Sequence, residues 1–212
     1  MNWLSSLNNA VFQFSEYSLS YLELLSVLAA LLSVWLAAKN NIHTWTVNLF
    51  AVTGFFFLFY QSQLYADMLL QIFFFCTSFV GFFLWKQPQN KMSSLTNEAF
   101  LLWSLKGGFA VLGLGAITSR LHIVYPLLFP IQAAFPLSDA FTTVFSVIAT
   151  VLLIKRKLQA WIFWVAVDLV SCLVYFYRGL YLVSLEYVVF LFMAIYGFVV
   201  WKKQKKMHSL NF

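Results

Sequence analysis

Charge is what this chain most lacks. Only 9% of its 212 residues are Asp, Glu, Lys or Arg, against roughly 25% in an ordinary soluble domain. Apolar residues make up 62% and aromatic residues 20%. A soluble sphere of this size cannot hide that much apolar surface from water. An ordinary soluble domain, a disordered chain and a repeat solenoid are therefore excluded, which leaves a polytopic membrane protein. Cysteine is scarce as well. Cys76 and Cys172 sit inside apolar runs with no CxxC and no metal-ligand spacing, and read as small packing residues. His43, His122 and His208 fall in loops or in the tail, and HExxH, GxSxG and Walker A sequences are all missing. Metal-site, serine-hydrolase and ATP-driven pumping chemistry thus lack support. The last apolar run holds no lysine before Lys202, so a retinal Schiff base would have no attachment point.

What the chain has instead is long apolar runs. Seven are placed at about 21–38, 45–60, 64–85, 99–117, 137–154, 160–177 and 180–201. Several hold only about 16–18 residues, the short end of what crosses about 30 Å of hydrocarbon at 1.5 Å per residue. Their continuity excludes β-barrel strands, which alternate. The first 20 residues lack the basic n-region of a signal peptide. Trp3, Leu4, Leu7, Val11 and Phe14 recur there at helical spacing. The segment is expected to form a short amphipathic helix lying in the membrane interface.

The net charge of +6 is a topological signal. Basic residues flank the apolar runs and do not form the single patch of a nucleic-acid binder, so no nucleic-acid partner is expected. In a seven-span chain, Lys39, Lys86, Lys91, Lys155, Arg156, Lys157, Lys202, Lys203, Lys205 and Lys206 share one side, and Arg120 and Arg178 lie on the other. This predicts a cytoplasmic C-terminus and an external N-terminus. The basic tail, 203–212, anchors to lipid headgroups. Lys106, inside the fourth run, is expected to snorkel to the surface.

The chain also matches itself without a gap at an offset of about 116 positions. Glu23 meets Asp139, Lys39 meets Lys155, Trp45 meets Trp161, and Leu64-Tyr65 meets Leu180-Tyr181. Gly81-Phe82 meets Gly197-Phe198, and Trp85-Lys86 meets Trp201-Lys202. Each unit holds three spans, 21–86 and 137–202. Two such units share an orientation only if an odd number of spans separates them, and 99–117 supplies it. The predicted fold is an all-α, seven-span 3+1+3 arrangement with parallel repeats. Such repeats are a common transporter plan, with the site near the midplane between the halves.

Polar groups inside the runs are costly and mark candidate sites. Asp168 lies near the middle of the sixth run in Trp161-x-x-Trp164-x-x-x-Asp168. Spacings of three and four put these side chains on one helical face, which Ser171 and Tyr175 extend. Indoles can stack on a flat ring or attract a delocalised cation, and a carboxylate can bind hydroxyls or balance charge. The repeat puts Trp45 and Asn48 at the equivalent place in the second run, and pairs Gln71 with Tyr187. Plain inter-helix hydrogen bonding also accounts for Asn48 and Gln71. Glu23, Asp67 and Asp139 sit near outer span ends and read as solvated. Asp139 is expected to cap the fifth helix, with Thr143 and Ser146 facing inward. Glu186 has no assigned role.

These residues carry a resemblance. Trp161-x-x-Trp164-x-x-x-Asp168, Leu64-Tyr65-Ala66-Asp67 with Gln71, Asp139-Ala140-Phe141-Thr142-Thr143, and the Gly81/Trp85 and Gly197/Trp201 pairs are similar to those of PnuC, the bacterial nicotinamide riboside transporters. The likeness covers about residues 20–202. The chain departs from the family at Arg178, often Lys there, and at Gln159-Ala160, where the family often has an acidic residue. The resemblance implies a SWEET-like fold, a homotrimer in the bacterial inner membrane, no cofactor and no enzymatic step. It implies facilitated diffusion of nicotinamide riboside, made one-way by cytoplasmic phosphorylation. Asn48, Gln71, Trp161, Trp164, Asp168 and Tyr175 would then bind substrate, with Trp45, Thr143 and Tyr187 gating. The alternatives are a transporter of another vitamin or nucleoside such as thiamin, a non-transporting sensor of such a ligand, and, ranked last, a lipid-modifying enzyme.

Overall fold

A computed structural model of the chain describes residues 10–14, 17–61, 65–88, 91–127, 134–179 and 181–210, with side chains from Ser20 onward except those of 61–67, 182 and 208–210. A short hairpin, β1 (Ala10–Phe14) and β2 (Tyr17–Ser20), precedes seven helices. They are α1 (Tyr21–Ala38), α2 (His43–Gln61), α3 (Tyr65–Trp85), α4 (Asn97–Val124), α5 (Pro136–Ile154), α6 (Ala160–Tyr177) and α7 (Tyr181–Leu210). The chain forms two compact units, Met1–Gln89 and Asn90–Phe212.

Two expectations need correction. Residues 10–14 and 17–20 form an antiparallel pair and not an amphipathic helix, with Phe14 opposite Tyr17 and Phe12 opposite Leu19. The residues at 1–9, including Trp3, Leu4 and Leu7, lie outside those described. The reason is local: Phe12-Gln13-Phe14 and Tyr17-Ser18-Leu19-Ser20 alternate with period two, the strand period. Among the described residues, six of the seven helices are long and apolar enough to cross a membrane on length and composition. The exception is α2, 19 residues long and so about 28 Å at 1.5 Å per residue. His43, Thr44, Thr46, Asn48 and Gln61 dilute its apolar content. Second, the fourth helix is 28 residues long and ends at Val124, beyond the expected 117. It packs within the second unit. Helix α7 runs on through the basic residues to Leu210.

Local chemistry explains the element ends. Ser20 caps α1 by accepting from Glu23 N at 3.1 Å, and Ser20-x-x-Glu23 is a capping-box sequence. Thr96 caps α4 through Ala99 N at 3.2 Å. Pro136 opens α5, whose N-cap, Phe135, makes no side-chain bond; Asp139 is in the first turn and does not cap. Between α6 and α7 the chain turns through Gly179 at φ +76°, a conformation that suits a residue without Cβ.

In the first unit, α1 and α2 are joined by a tight turn. Lys39 N donates to Trp35 O, Asn40 N to Ala37 O, Asn41 N to Leu36 O, Thr44 N to Asn41 O and Trp45 N to Ile42 O. In the second unit the turn from α5 to α6 makes the same bonds: Lys155 to Val151, Arg156 to Leu153, Lys157 to Leu152, Ala160 to Lys157 and Trp161 to Leu158. Each bond recurs at the offset found in the sequence. So does the left-handed residue, Asn40 at φ 56° and Arg156 at φ 49°. Asn tolerates that conformation, whereas Arg pays about 1 kcal/mol or more for it.

Past these turns each unit closes on a tryptophan laid over a glycine. A Cβ on Gly81 would lie 2.5 Å from Cδ2 of Trp45, and one on Gly197 would lie 2.6 Å from Cζ3 of Trp161. The opposing tryptophan meets each ring edge-on, Trp85 at 5.3 Å and 88°, Trp201 at 5.5 Å and 85°. Small residues support the approach elsewhere. Ser33 Oγ donates to Thr44 O at 3.1 Å while Thr44 Oγ1 donates to Ser33 O at 2.8 Å. In the second unit the corresponding positions are Ala149 and Ala160, both fully buried.

The core of the second unit gathers Phe145, Ile148, Leu152, Phe163 and Val167 from α5 and α6. Helix α4 joins it through Gly107, Val111 and Gly115, one stripe at i, i+4, i+8. A Cβ on Gly107 would meet Phe145 at 2.8 Å, so the helices approach as close as their backbones permit. The outward faces are apolar: Phe50 is 72% and Phe109 73% exposed, as expected of side chains facing lipid.

Adding a Cβ at Gly197 or Gly81 should therefore force each indole away. Gly197→Ala and Gly81→Ala are expected to destabilise by about 1–3 kcal/mol, the usual cost of overpacking. Gly108→Ala, where a Cβ meets nothing within 4 Å, should not. Thermal denaturation in detergent checks the contrast.

Candidate functional site

Each unit contributes its own polar set. In the first unit Asn48 sits one turn beyond Trp45 on α2, half-buried. Its Nδ2 donates to Ser78 Oγ at 2.9 Å, and Ser78 Oγ donates to Phe74 O at 2.7 Å. Ser78 is fully buried and locks the amide orientation. The amide's carbonyl oxygen accepts no hydrogen bond among the described residues. Gln71, on α3, is buried and has no hydrogen-bond partner among the described residues. The expectations for Leu64 and for the Tyr65, Ala66 and Asp67 side chains lie outside the described residues.

In the second unit the predicted face of α6 is inward. Trp161, Asp168 and Ser171 are buried at 1%, 5% and 4% exposure, and Trp164 and Tyr175 are half-buried. Trp164 packs against the unit's core in the place that Asn48 holds in the first unit. Asp168 has no hydrogen bond or ion pair among the described residues. A buried carboxylate without a partner is expensive, so its presence calls for a counter-charge or donor brought from elsewhere. Ser184 Oγ donates to the Cys172 carbonyl at 2.9 Å and lies 3.4 Å from Cys172 Sγ, fixing α7 to α6 beside this face.

The C-terminal end of this face is aromatic. Tyr175 stacks on Tyr187 of α7 at 5.3 Å and 12°. The Arg178 guanidinium lies over Tyr175 at 5.9 Å and over Phe135 at 5.2 Å. Its Nη2 donates to both Asp139 carboxylate oxygens at 3.1 Å. One cation thus links the start of α5 to the stacked tyrosines.

Trp45 and Trp161 do not line an open wall. Both are buried against glycines, and each indole Nε1–H is buried without a partner among the described residues. They act as packing plates between helices. Thr143 is half-buried on α5 and makes no hydrogen bond to these groups. Sequence reasoning missed Ser78, Ser184 and the Arg178–Asp139 pair. Ser78 had a signal: the offset matches it to Ala194, so both units keep a small residue where α2 or α6 meets its neighbour.

A family described as nicotinamide mononucleotide transporter matches residues 20–203. The chain belongs to that transporter family. The chain is similar to the nicotinamide riboside transporter PnuC of Escherichia coli K12, 29% identical over 87% of this chain and 86% of that protein. The PnuC of Neisseria mucosa is 26% identical over 90% of this chain and 75% of its own. A crystal structure of the vitamin B3 transporter PnuC superposes with a TM-score of 0.65 at 25% identity, covering 89% of this chain and 83% of that one. The PnuC resemblance drawn from the motifs therefore holds, and the chain is a multi-pass bacterial membrane transporter.

Asn48→Ala should leave Ser78 bonded to Phe74 O, so the PnuC fold should survive with little change in melting temperature. Trp164→Ala removes a half-buried ring from the edge of the core and should cost about 3 kcal/mol or more. Thermal melts of the two variants side by side check this ordering.

Proposed function

We propose that the protein takes up nicotinamide riboside across the bacterial inner membrane by facilitated diffusion. The observation that carries this reading is Asp168: a buried carboxylate without a cationic partner among the described residues, one turn from Trp164 on α6. Nicotinamide riboside is a flat pyridinium cation joined to a ribose. Asp168 would balance its charge or bind its hydroxyls, and Trp164 would face the ring, an interaction of about 0.5–2 kcal/mol. Asn48, Gln71 and Tyr175 would hydrogen-bond the ribose or the amide. Trp161 would hold α6 in place for the residues beyond it, with Trp45 in the same role on α2, while Tyr187 and Thr143 would gate. The PnuC relatives, named for the riboside, support the same substrate. The unpartnered carboxylate favours this cation over the phosphorylated mononucleotide, whose phosphate it would repel.

In this reading the helices form a SWEET-like 3+1+3 arrangement with two parallel repeats. The matched turn hydrogen bonds, the two left-handed residues and the paired Trp–Gly contacts support the duplication. Alternating access would rock the two three-helix bundles. The basic ends of the helices favour a cytoplasmic C-terminus and an external N-terminus. Phosphorylation of the product inside the cell would make uptake one-way, and the protein would work as a homotrimer among membrane lipids. No cofactor and no catalytic step are needed.

Proteoliposomes loaded with buffer and given labelled nicotinamide riboside test the proposal. Uptake to the external concentration without ATP or an ion gradient is expected, with far weaker uptake of the mononucleotide. Calorimetry should show Asp168→Asn weakened by about 1.5–3 kcal/mol, roughly ten- to hundredfold, and Asn48→Ala by less. Binding without uptake would favour a sensor, and tighter binding of thiamin in a thermal-shift panel would reassign the substrate.

A further inference from the structure

The second unit carries a second polar cluster, at the end opposite the Arg178–Asp139 pair. Ser93, just before α4, pairs with Lys157 as a parallel bridge. Ser93 N donates to Arg156 O at 3.0 Å, and Leu158 N donates to Ser93 O at 2.9 Å. Gln159 closes the clamp, with Oε1 accepting from Leu95 N at 2.8 Å and Nε2 donating to Leu95 O at 3.2 Å. Two ammonium groups converge on it from different elements. Lys157 Nζ donates to Ser93 Oγ at 2.8 Å, and Lys205 Nζ, from α7, donates to Ser94 Oγ at 2.7 Å.

Neither lysine has a carboxylate partner among the described residues. Each ammonium carries three N–H donors and gives one to a hydroxyl that bears no charge. Lys157 is half-buried, so part of its hydration is lost without an anion in exchange. The N-terminus of α4 adds the positive end of its dipole here. The acidic residue of that first turn, Glu98, is exposed. Lys205 lies in the basic end of α7, Lys202-Lys203-Gln204-Lys205-Lys206, just past the apolar part of that helix, where a spanning helix would reach the headgroup layer.

We propose that Lys157 and Lys205, held on Ser93 and Ser94, form a binding site for a phosphate group, supplied by an acidic phospholipid headgroup or by a soluble phosphomonoester. The bound phosphate would take the unused ammonium donors and hold the entry to α4 against the α5–α6 turn and α7. General attraction of a basic tail to an anionic surface would not single out these two lysines, since Lys202 and Lys203 are exposed neighbours on the same helix.

Melting temperatures of the full chain in nanodiscs of phosphatidylcholine alone, and of phosphatidylcholine with phosphatidylglycerol, at one ionic strength, test the site. The acidic lipid is expected to raise the midpoint by several degrees. Lys157→Gln with Lys205→Gln should lose most of that rise, and Lys202→Gln with Lys203→Gln should keep it. In detergent, a rise with glycerol phosphate but not with equal chloride assigns the phosphate group itself. A rise in the acidic nanodisc alone assigns the lipid. Equal midpoints under every condition would overturn the proposal, as would equal losses in the two double variants. Should the first pair fail to fold, native mass spectrometry of the wild-type chain decides: phosphatidylglycerol retained through purification supports the site, and none retained overturns it.

Discussion

The structure depends on how closely a tryptophan can lie on a glycine. In hydrocarbon, lipid tails are as apolar as leucine, so helices gain little by hiding apolar surface from one another. Contact area and close backbone approach must do the holding. Trp45 over Gly81 and Trp161 over Gly197 supply both, and the edge-on Trp85 and Trp201 close the far side. Once α2 lies against α3 in this way, Asn48 is brought to Ser78 one turn along. Once α6 lies against α7, Tyr175 comes to rest on Tyr187 four turns along. The polar residues are positioned because the aromatic contacts fix the helix rotations.

Hydroxyl groups show the same economy. Ser26, Thr77, Ser78, Ser104 and Thr118 all return a side-chain bond to a carbonyl one turn earlier, which offsets the cost of burying them. Against that background Gln71 and Asp168 stand out. They are buried and have no such partner among the described residues, although a carboxylate is far more costly to bury than a hydroxyl. In a membrane protein that is the pattern of groups kept for something that arrives from outside the fold.

Much of this was legible in advance. The apolar runs located all seven helices, because length and continuity alone separate a spanning helix from a strand. The 116-residue offset pairs Trp45 with Trp161 and Gly81 with Gly197 from the sequence alone. The inward face of α6 followed from spacings of three and four. Other features were not legible. Trp161 and Asp168 share a face, yet one is a packing plate and the other an unpartnered acid, a distinction that depends on whether the facing residue on α7 is a glycine. The hairpin at 10–20 lost to a helical reading because Val11 and Phe14 fit one period while Phe12 and Phe14 fit another. Arg178 and Asp139 lie 39 residues apart in the chain, and no periodicity connects them.

By itself, the sequence determined that the chain lies in a membrane, where its helices run and which side chains share a face. Those properties follow from hydropathy and from the helical repeat, both local. Tertiary structure decided which unit α4 joins, which tryptophans are spent on packing, and which polar groups are left without partners. These depend on the distance between helices, and that distance is set by pairs such as Trp161 and Gly197, far apart in the chain, meeting at van der Waals contact.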